Sequence, residues 1–210
     1  MQPPHFDPAR IARALDAAGR RFGPDEHARL AEYLNLLVKW NAAYNLTGIR
    51  DPDALVDRHL VESLELVPLL RGTRIADVGT GAGLPGIPLA IVAPDRHFVL
   101  IEIRAKRVRF LRHVVATLGI RNAEIAHTRV EDLRCEHAFD TVLARAVAPP
   151  AELAAMTRHL TAPGTVLLLL TASRLREEWR EKAAELGLRP VRIDAPGRPG
   201  RSAIVMLERI

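Results

Sequence analysis

Residues 74–88 read Arg-Ile-Ala-Asp-Val-Gly-Thr-Gly-Ala-Gly-Leu-Pro-Gly-Ile-Pro. Ile75 to Val78 is a short apolar run of the kind that forms a buried strand. Gly79, Gly81 and Gly83 then alternate with small residues, and a helix-like run follows from Pro85. Glycines this dense cost conformational entropy, which a chain accepts where it needs positive φ or a close ligand. A strand, a glycine loop and a helix N-terminus together present backbone N–H groups beside a positive dipole end. A nucleotide-like ligand is expected there, at the carboxyl edge of a parallel sheet.

The loop admits two readings. Gly81-Ala-Gly83-Leu-Pro-Gly86 matches the dinucleotide fingerprint G-x-G-x-x-G, which keeps an NAD-type oxidoreductase as an alternative. In that fingerprint, however, the first glycine follows the strand directly, and here that glycine is Gly79. Asp77-x-Gly79-x-Gly81-x-Gly83 instead resembles the first motif of S-adenosylmethionine-dependent methyltransferases.

Strand and helix patterns alternate downstream of the loop. Strands are expected at 74–78, 97–102, 123–127, 139–144 and 165–170, with helices at 85–93, 106–118, after Pro149-Pro150 and at 173–186. Thr165 to Leu170 is apolar and reads as a central strand. Val191–Asp194 and Ser202–Glu208 flank Pro196-Gly-Arg-Pro-Gly200 and read as a closing hairpin. The alternation implies an α/β, doubly wound (Rossmann-like) sheet. An antiparallel C-terminal hairpin favours the seven-stranded methyltransferase sheet over the dinucleotide sheet. Upstream, residues 8–45 carry helical spacing interrupted at Gly23-Pro24, and Asp51-Pro52 opens a further helix with Leu55, Leu60 and Leu64 inward. Residues 1–70 are read as an N-terminal helical lobe packed on a catalytic domain over 71–210.

Composition bounds the function. The 210 residues are 48% hydrophobic and 26% charged, ordinary for a globular protein. No apolar run approaches the roughly 20 residues that span a bilayer, and the first residues lack a signal-peptide pattern. One cysteine, Cys135, excludes an intrachain disulfide, and the histidines show no metal spacing. A cytoplasmic monomer without metal is expected. The net charge of +5, carried mostly by arginine, permits a nucleic-acid partner. Aromatic content of 4% argues against an extended base-stacking platform.

Several residues then become site candidates. Glu102 ends the second strand, about twenty residues after the loop, where a carboxylate accepts ribose hydroxyls. Val130 and Glu131 follow the third strand, where methyltransferases line the adenine. Arg145 closes the fourth strand beside the crevice. It is a candidate for substrate orientation through a methionine carboxylate, an RNA phosphate or a guanine edge, with a structural ion pair as the competing reading. Lys106, Arg107 and Arg109, with Arg104 and Arg112, form a candidate RNA-facing helix. Ala148-Pro149-Pro150-Ala151 is not the Asp/Asn-Pro-Pro-aromatic run of exocyclic-amine methylation, and Cys135 follows Arg134, not a proline.

At this point the resemblance becomes specific. Trp40-Asn-Ala-Ala-Tyr44-Asn45-Leu46-Thr47, Arg58-His59-Leu60, Asp77 through Pro88, Lys106-Arg107-Val108-Arg109-Phe110-Leu111 and Arg145-Ala146 resemble the bacterial small-subunit ribosomal RNA guanine-N7 methyltransferases, also called the glucose-inhibited division protein B family. The resemblance is dense over about residues 33–150 and looser beyond. It implies S-adenosylmethionine as cofactor and 16S ribosomal RNA or the small ribosomal subunit as partner. The implied cofactor contacts are Asp77, Gly79, Gly81, Gly83, Leu84, Glu102 with Ile103 and Arg104, Val130, Glu131 and Arg145. No dedicated catalytic acid or base is implied, because guanine N7 bears no proton. A methyltransferase for another RNA or a small molecule is the nearer alternative. Three departures stand out. Glu102 and Glu62 each replace a commoner aspartate, and Thr171-Ala172 replaces Lys-Gly, with Arg174 or Arg176 as possible substitutes.

Overall fold

The structure is a computed structural model and describes residues 4–145, 147–194 and 201–210, apart from the side chains of Pro150 and residues 173–176. The hairpin tip at 195–200, Ala146 and the side chains of Arg174 and Arg176 lie outside the described residues.

Seven strands form one sheet in the order β3-β2-β1-β4-β5-β7-β6. They are β1 (Arg74–Val78), β2 (His97–Ile101), β3 (Ala123–Ala126), β4 (Thr141–Arg145), β5 (Val166–Thr171), β6 (Leu188–Asp194) and β7 (Ala203–Arg209). The first five are mutually parallel, and β7 runs antiparallel to both β5 and β6. The α/β class and the antiparallel ending read from the sequence are both present.

Side chains alternate across the pleat. Ile75, Leu100, Leu143 and Leu168 face one buried cluster, and Ala76, Val99, Val142 and Leu167 face the other. The second face is covered by α7 (Pro150–Thr157) and α8 (Ser173–Lys182), whose Trp179 is 1% exposed. The first is covered by α5 (Gly86–Val92), α6 (Ala105–Thr117) and the N-terminal helices α1 (Pro8–Ala17) and α2 (Pro24–Tyr44). Ile11, Leu15, Leu30, Leu34 and Leu37 belong to the same cluster as Ile75 and Leu100.

Local signals account for the boundaries. Asp7 caps α1 by accepting from Arg10 N, and Asp51 caps α3 (Pro52–Leu55) by accepting from Ala54 N. Asn45 ends α2 with φ 49°, a left-handed conformation that asparagine tolerates. Asn41 Oδ1 then accepts from Thr47 N at 2.9 Å, which brings Leu46 and Thr47 back over the sheet edge.

Three differences from the sequence reading stand out. The fourth strand begins at Thr141, not Phe139, because Asp140 Oδ2 accepts from the N–H groups of Thr73 and Arg74 at 2.8 Å each and turns the chain first. The sixth begins at Leu188, three residues before Val191, and runs through Pro190 with a register shift to Arg192. It can do so because β6 is an edge strand, where a missing N–H faces no partner. Finally, α3 continues through a π-helical stretch, Val56–Val61, into α4 (Glu62–Leu64). Leucine spacing gave no sign of that change, since Leu55, Leu60 and Leu64 are all buried as expected.

Candidate active site

In the register, Val78 pairs with both Ile101 and Ala144, so Gly79, Glu102 and Arg145 emerge side by side at the carboxyl ends of β1, β2 and β4. The strand order reverses between β1 and β4, the point at which open α/β sheets bind ligands.

The glycine loop is fastened from beneath. Asp77 is fully buried, and its Oδ2 accepts from Thr80 Oγ1 at 2.6 Å and Gly86 N at 2.9 Å. Burial pushes its carboxyl up to about 7, although the Thr80 and Gly86 donors pull the other way. Oδ1 has no hydrogen-bond partner among the described residues. Tyr33 of α2 is buried and donates to the Ala82 carbonyl at 2.8 Å. Gly79 and Gly81 sit at φ 62° and Gly83 at φ 89°, a region that side chains avoid.

Glu102 is only 4% exposed. Its Oε1 accepts from Arg104 N at 2.8 Å, and its Oε2 accepts from Gly81 N at 3.1 Å and lies 3.4 Å from Arg107 Nη1. The carboxylate therefore clamps the loop while still bordering the crevice.

Two adjoining cavities share Gly79, Glu102 and Val147. The larger, about 480 Å³, is bordered by Leu46, Thr47, the loop from Gly79 to Ala82, Leu84, Arg104, Arg107 and Arg145. The smaller, about 220 Å³, is bordered by Ile103, Val130, Glu131 and Met156.

Arg145 is held by residues upstream of β1. Its Nη2 donates to the Arg58 carbonyl at 2.7 Å and to Glu62 Oε2 at 3.1 Å. Glu62, 1% exposed, also accepts from Ser202 N at 3.0 Å and Ser202 Oγ at 3.2 Å. Arg145 Nη1 has no partner among the described residues, and burial lowers the arginine's affinity for its proton. Next to it, His59 Nε2 lies 2.9 Å from Thr47 Oγ1. Burial, together with the nearby Arg145 charge, pushes this imidazole down to about 3.

The chain matches a family model described as GidB, rRNA small subunit methyltransferase G, over residues 26–194. Proteins named ribosomal RNA small subunit methyltransferase G include one from Serratia proteamaculans, 42% identical over 95% of this chain and 98% of its own. Another, from Pseudomonas aeruginosa, is 38% identical over 95% and 94%. The chain belongs to the rRNA small subunit methyltransferase G family.

Solved structures add the fold. An S-adenosylmethionine-dependent methyltransferase from Aquifex aeolicus matches with TM-score 0.63 at 17% identity, covering 79% of this chain and 97% of its own. Magnesium protoporphyrin IX methyltransferase from Synechocystis matches with TM-score 0.62 at 16% identity over the whole of both chains.

Around this crevice, most of the residues singled out from sequence converge. Gly79, Gly81, Leu84, Glu102, Arg104 and Arg145 border the larger cavity, and Ile103, Val130 and Glu131 the smaller. Four corrections follow from the packing. Asp77 borders neither cavity but lies under the loop it fastens. Gly83 borders neither cavity and is pressed against Ile87 and Leu111. Arg107 faces the crevice and Glu102, whereas its neighbours Lys106 and Arg109 are exposed. Glu102, with three donors already on its two oxygens, has too few acceptor sites left to clasp both ribose hydroxyls unless Arg107 moves.

Sequence reasoning missed Val147 and Met156, which border the smaller cavity. Val147 lies just past the end of β4, a position that could have flagged it. Glu62 and Ser202 were also missed as partners in the Arg145 cluster, and no local signal joins them.

Proposed function

We propose that this chain transfers a methyl group from S-adenosylmethionine to N7 of a guanine in small-subunit (16S) ribosomal RNA, acting as a cytoplasmic monomer. Family membership carries the reading, together with a crevice at the β1–β4 reversal whose size and lining suit the cofactor. Glycine leaves the loop backbone bare there, and a Cβ at Gly79 would come within 3.1 Å of Val147 Cγ2. Val130, Ile103 and Met156 supply an apolar slot for an adenine, and Glu131 an acceptor at its rim. Glu102 serves one ribose hydroxyl, and the loop from Gly79 to Leu84, with Arg104, holds the amino-acid end.

Bound S-adenosylmethionine supplies a methyl carbon on a sulfonium. With it bound, the N7 lone pair would take up the methyl as the C–S bond breaks with its electron pair staying on sulfur, leaving a neutral thioether and a cationic purine. No proton moves, so the residues act by positioning and by excluding water. Thr47, Leu46 and Val147 close the wall where the purine would enter.

N7 lies in the deep, narrow groove of an RNA helix, so the target guanine is taken unpaired or flipped out. Exposed Lys106 and Arg109, with Arg104 and Arg112, receive the phosphates around it. The reading is tested by incubating labelled methyl donor with small ribosomal subunits, and with naked RNA, from a strain lacking the gene. Digested nucleosides should carry the label in N7-methylguanosine. Label in another nucleoside, or only in protein, refutes it, and titration with NAD against S-adenosylmethionine separates an oxidoreductase.

A further inference from the structure

Tyr44, the last residue of α2, is 38% exposed. One turn earlier on the same helix face, half-buried Trp40 lies against it, with ring centroids 5.3 Å apart and planes 33° apart. Exposed His113 of α6 meets the Trp40 ring as closely, at 5.3 Å and 34°. Fully buried Phe110 backs Trp40 at 5.6 Å. A tyrosine and a histidine braced on a tryptophan thus form a small aromatic surface whose outer members are solvent-exposed. Its setting is cationic. Residues 33–50 and 103–123, which carry all four rings, contain no aspartate or glutamate, and Lys39, Arg50, Lys106, Arg109 and Arg112 within them are exposed. The surface also adjoins the crevice. Tyr44 stands two residues before Leu46 and Phe110 one helical turn after Arg107, and Leu46 and Arg107 both border the larger cavity.

We propose that Tyr44, Trp40 and His113 form a stacking subsite for one unpaired base beside the target guanine. Arg109 and Lys106, one and two turns back from His113 along the same face of α6, meet the phosphates that join the two nucleotides. The inference rests on the RNA-methylation reading above and adds what holds the strand once the guanine leaves its stack. Extruding a base breaks its stacking on both neighbours, and an aromatic side chain that takes up the bared face of one neighbour offsets part of that cost. Every base has a π-face, so such a subsite grips the strand without reading its sequence. Aromatic content of 4% excludes an extended platform, not a compact one that takes a single base. A protein docked on this surface would have to be acidic, whereas the RNA already brings phosphates to this edge of the crevice.

The test uses an RNA, naked or reconstituted into a small subunit, that the wild-type enzyme methylates, with each nucleotide flanking the mapped target replaced in turn by an abasic ribose. For wild type, one flanking position should raise the half-saturating RNA concentration about fivefold to a hundredfold, the worth of one base–aromatic stack. Tyr44→Ala should lose as much on the intact RNA and show no further loss on the RNA that is abasic at that position. Its affinity for S-adenosylmethionine should be unchanged, and Tyr44→Phe, which keeps the ring, should behave as wild type. Losses from Tyr44→Ala and the abasic site that simply add would overturn the proposal and assign the surface to a protein contact. Wild-type indifference to every flanking abasic site would overturn it even if Tyr44→Ala fails to fold. Absence of any N7 methylation by wild type would instead remove the underlying functional reading.

Discussion

The Tyr33 hydroxyl donates to the Ala82 carbonyl at 2.8 Å, inside the protein and across 49 residues of chain. The N-terminal helix α2 thereby holds the glycine loop in place. Tyr33→Phe leaves that carbonyl buried without its partner, which costs about 1–3 kcal/mol. Urea unfolding should show that loss, and calorimetric titration should show weaker S-adenosylmethionine binding by a loosened loop.

Asp77 imposes a pH dependence. Its folded-state carboxyl is raised from 3.8 to about 7, chiefly by burial, so the folded protein holds the proton more tightly than the unfolded chain. Its stabilising contribution is complete below about 3.8 and is lost as pH rises to about 7. The stability of wild type minus that of Asp77→Asn should therefore fall across that window in denaturation curves taken at stepped pH.

His59 acts in the opposite sense. Its imidazole is pushed down from 6.5 to about 3, first by burial and then by the Arg145 charge. Its contribution is present above 6.5 and is lost as pH falls toward 3. Relative to His59→Gln, wild type should lose stability on acidification across that range, measured in the same way.

Gly83 and Gly119 both have positive φ, at 89° and 60°, but their surroundings differ. A Cβ on Gly83 would lie 2.5 Å from Ile87 Cγ1 and 3.0 Å from Leu111 Cδ2, whereas one on Gly119 meets nothing within 4 Å. Gly119→Ala should cost only the left-handed strain, about 1–2 kcal/mol. Gly83→Ala adds overpacking of about 1–3 kcal/mol. Thermal unfolding of the two variants side by side checks the order.

RNA binding should follow the exposed side of α6. Lys106 and Arg109 are exposed, while Arg107 leans on Glu102. Charge reversal at Lys106 and Arg109 should lower RNA affinity and reduce the slope of log affinity against log salt by about 1.5. Fluorescence anisotropy over a salt series measures both, and an unchanged slope would take these residues out of the interface.

Much of this was legible in the sequence because its causes are local. The run 74–88 carried its strand, loop and helix start within fifteen residues, and Thr165 to Leu170, apolar and preceded by the Pro163-Gly164 turn, read as a central strand. What escaped notice depends on distant partners. Glu62 meets Arg145 across 83 residues. Arg107 looks like Lys106 and Arg109 until Glu102 draws it inward. Asp77 occupies a cofactor motif, yet its work is to fasten Thr80 and Gly86. Pro190 hid the start of β6 because an edge position cannot be read from the strand itself.

The adjacency of β1 and β4 has a kinetic corollary. Arg145, Val147 and Met156 join the cavity walls only once residues 141–145 have zipped onto 75–78, with two strands and two helices of chain between them. A ribosome-bound nascent chain that has released only the first three strands thus carries the glycine loop, Glu102 and Val130 without that side of the wall. The crevice is the product of a long-range pairing and closes later than the loop at its centre.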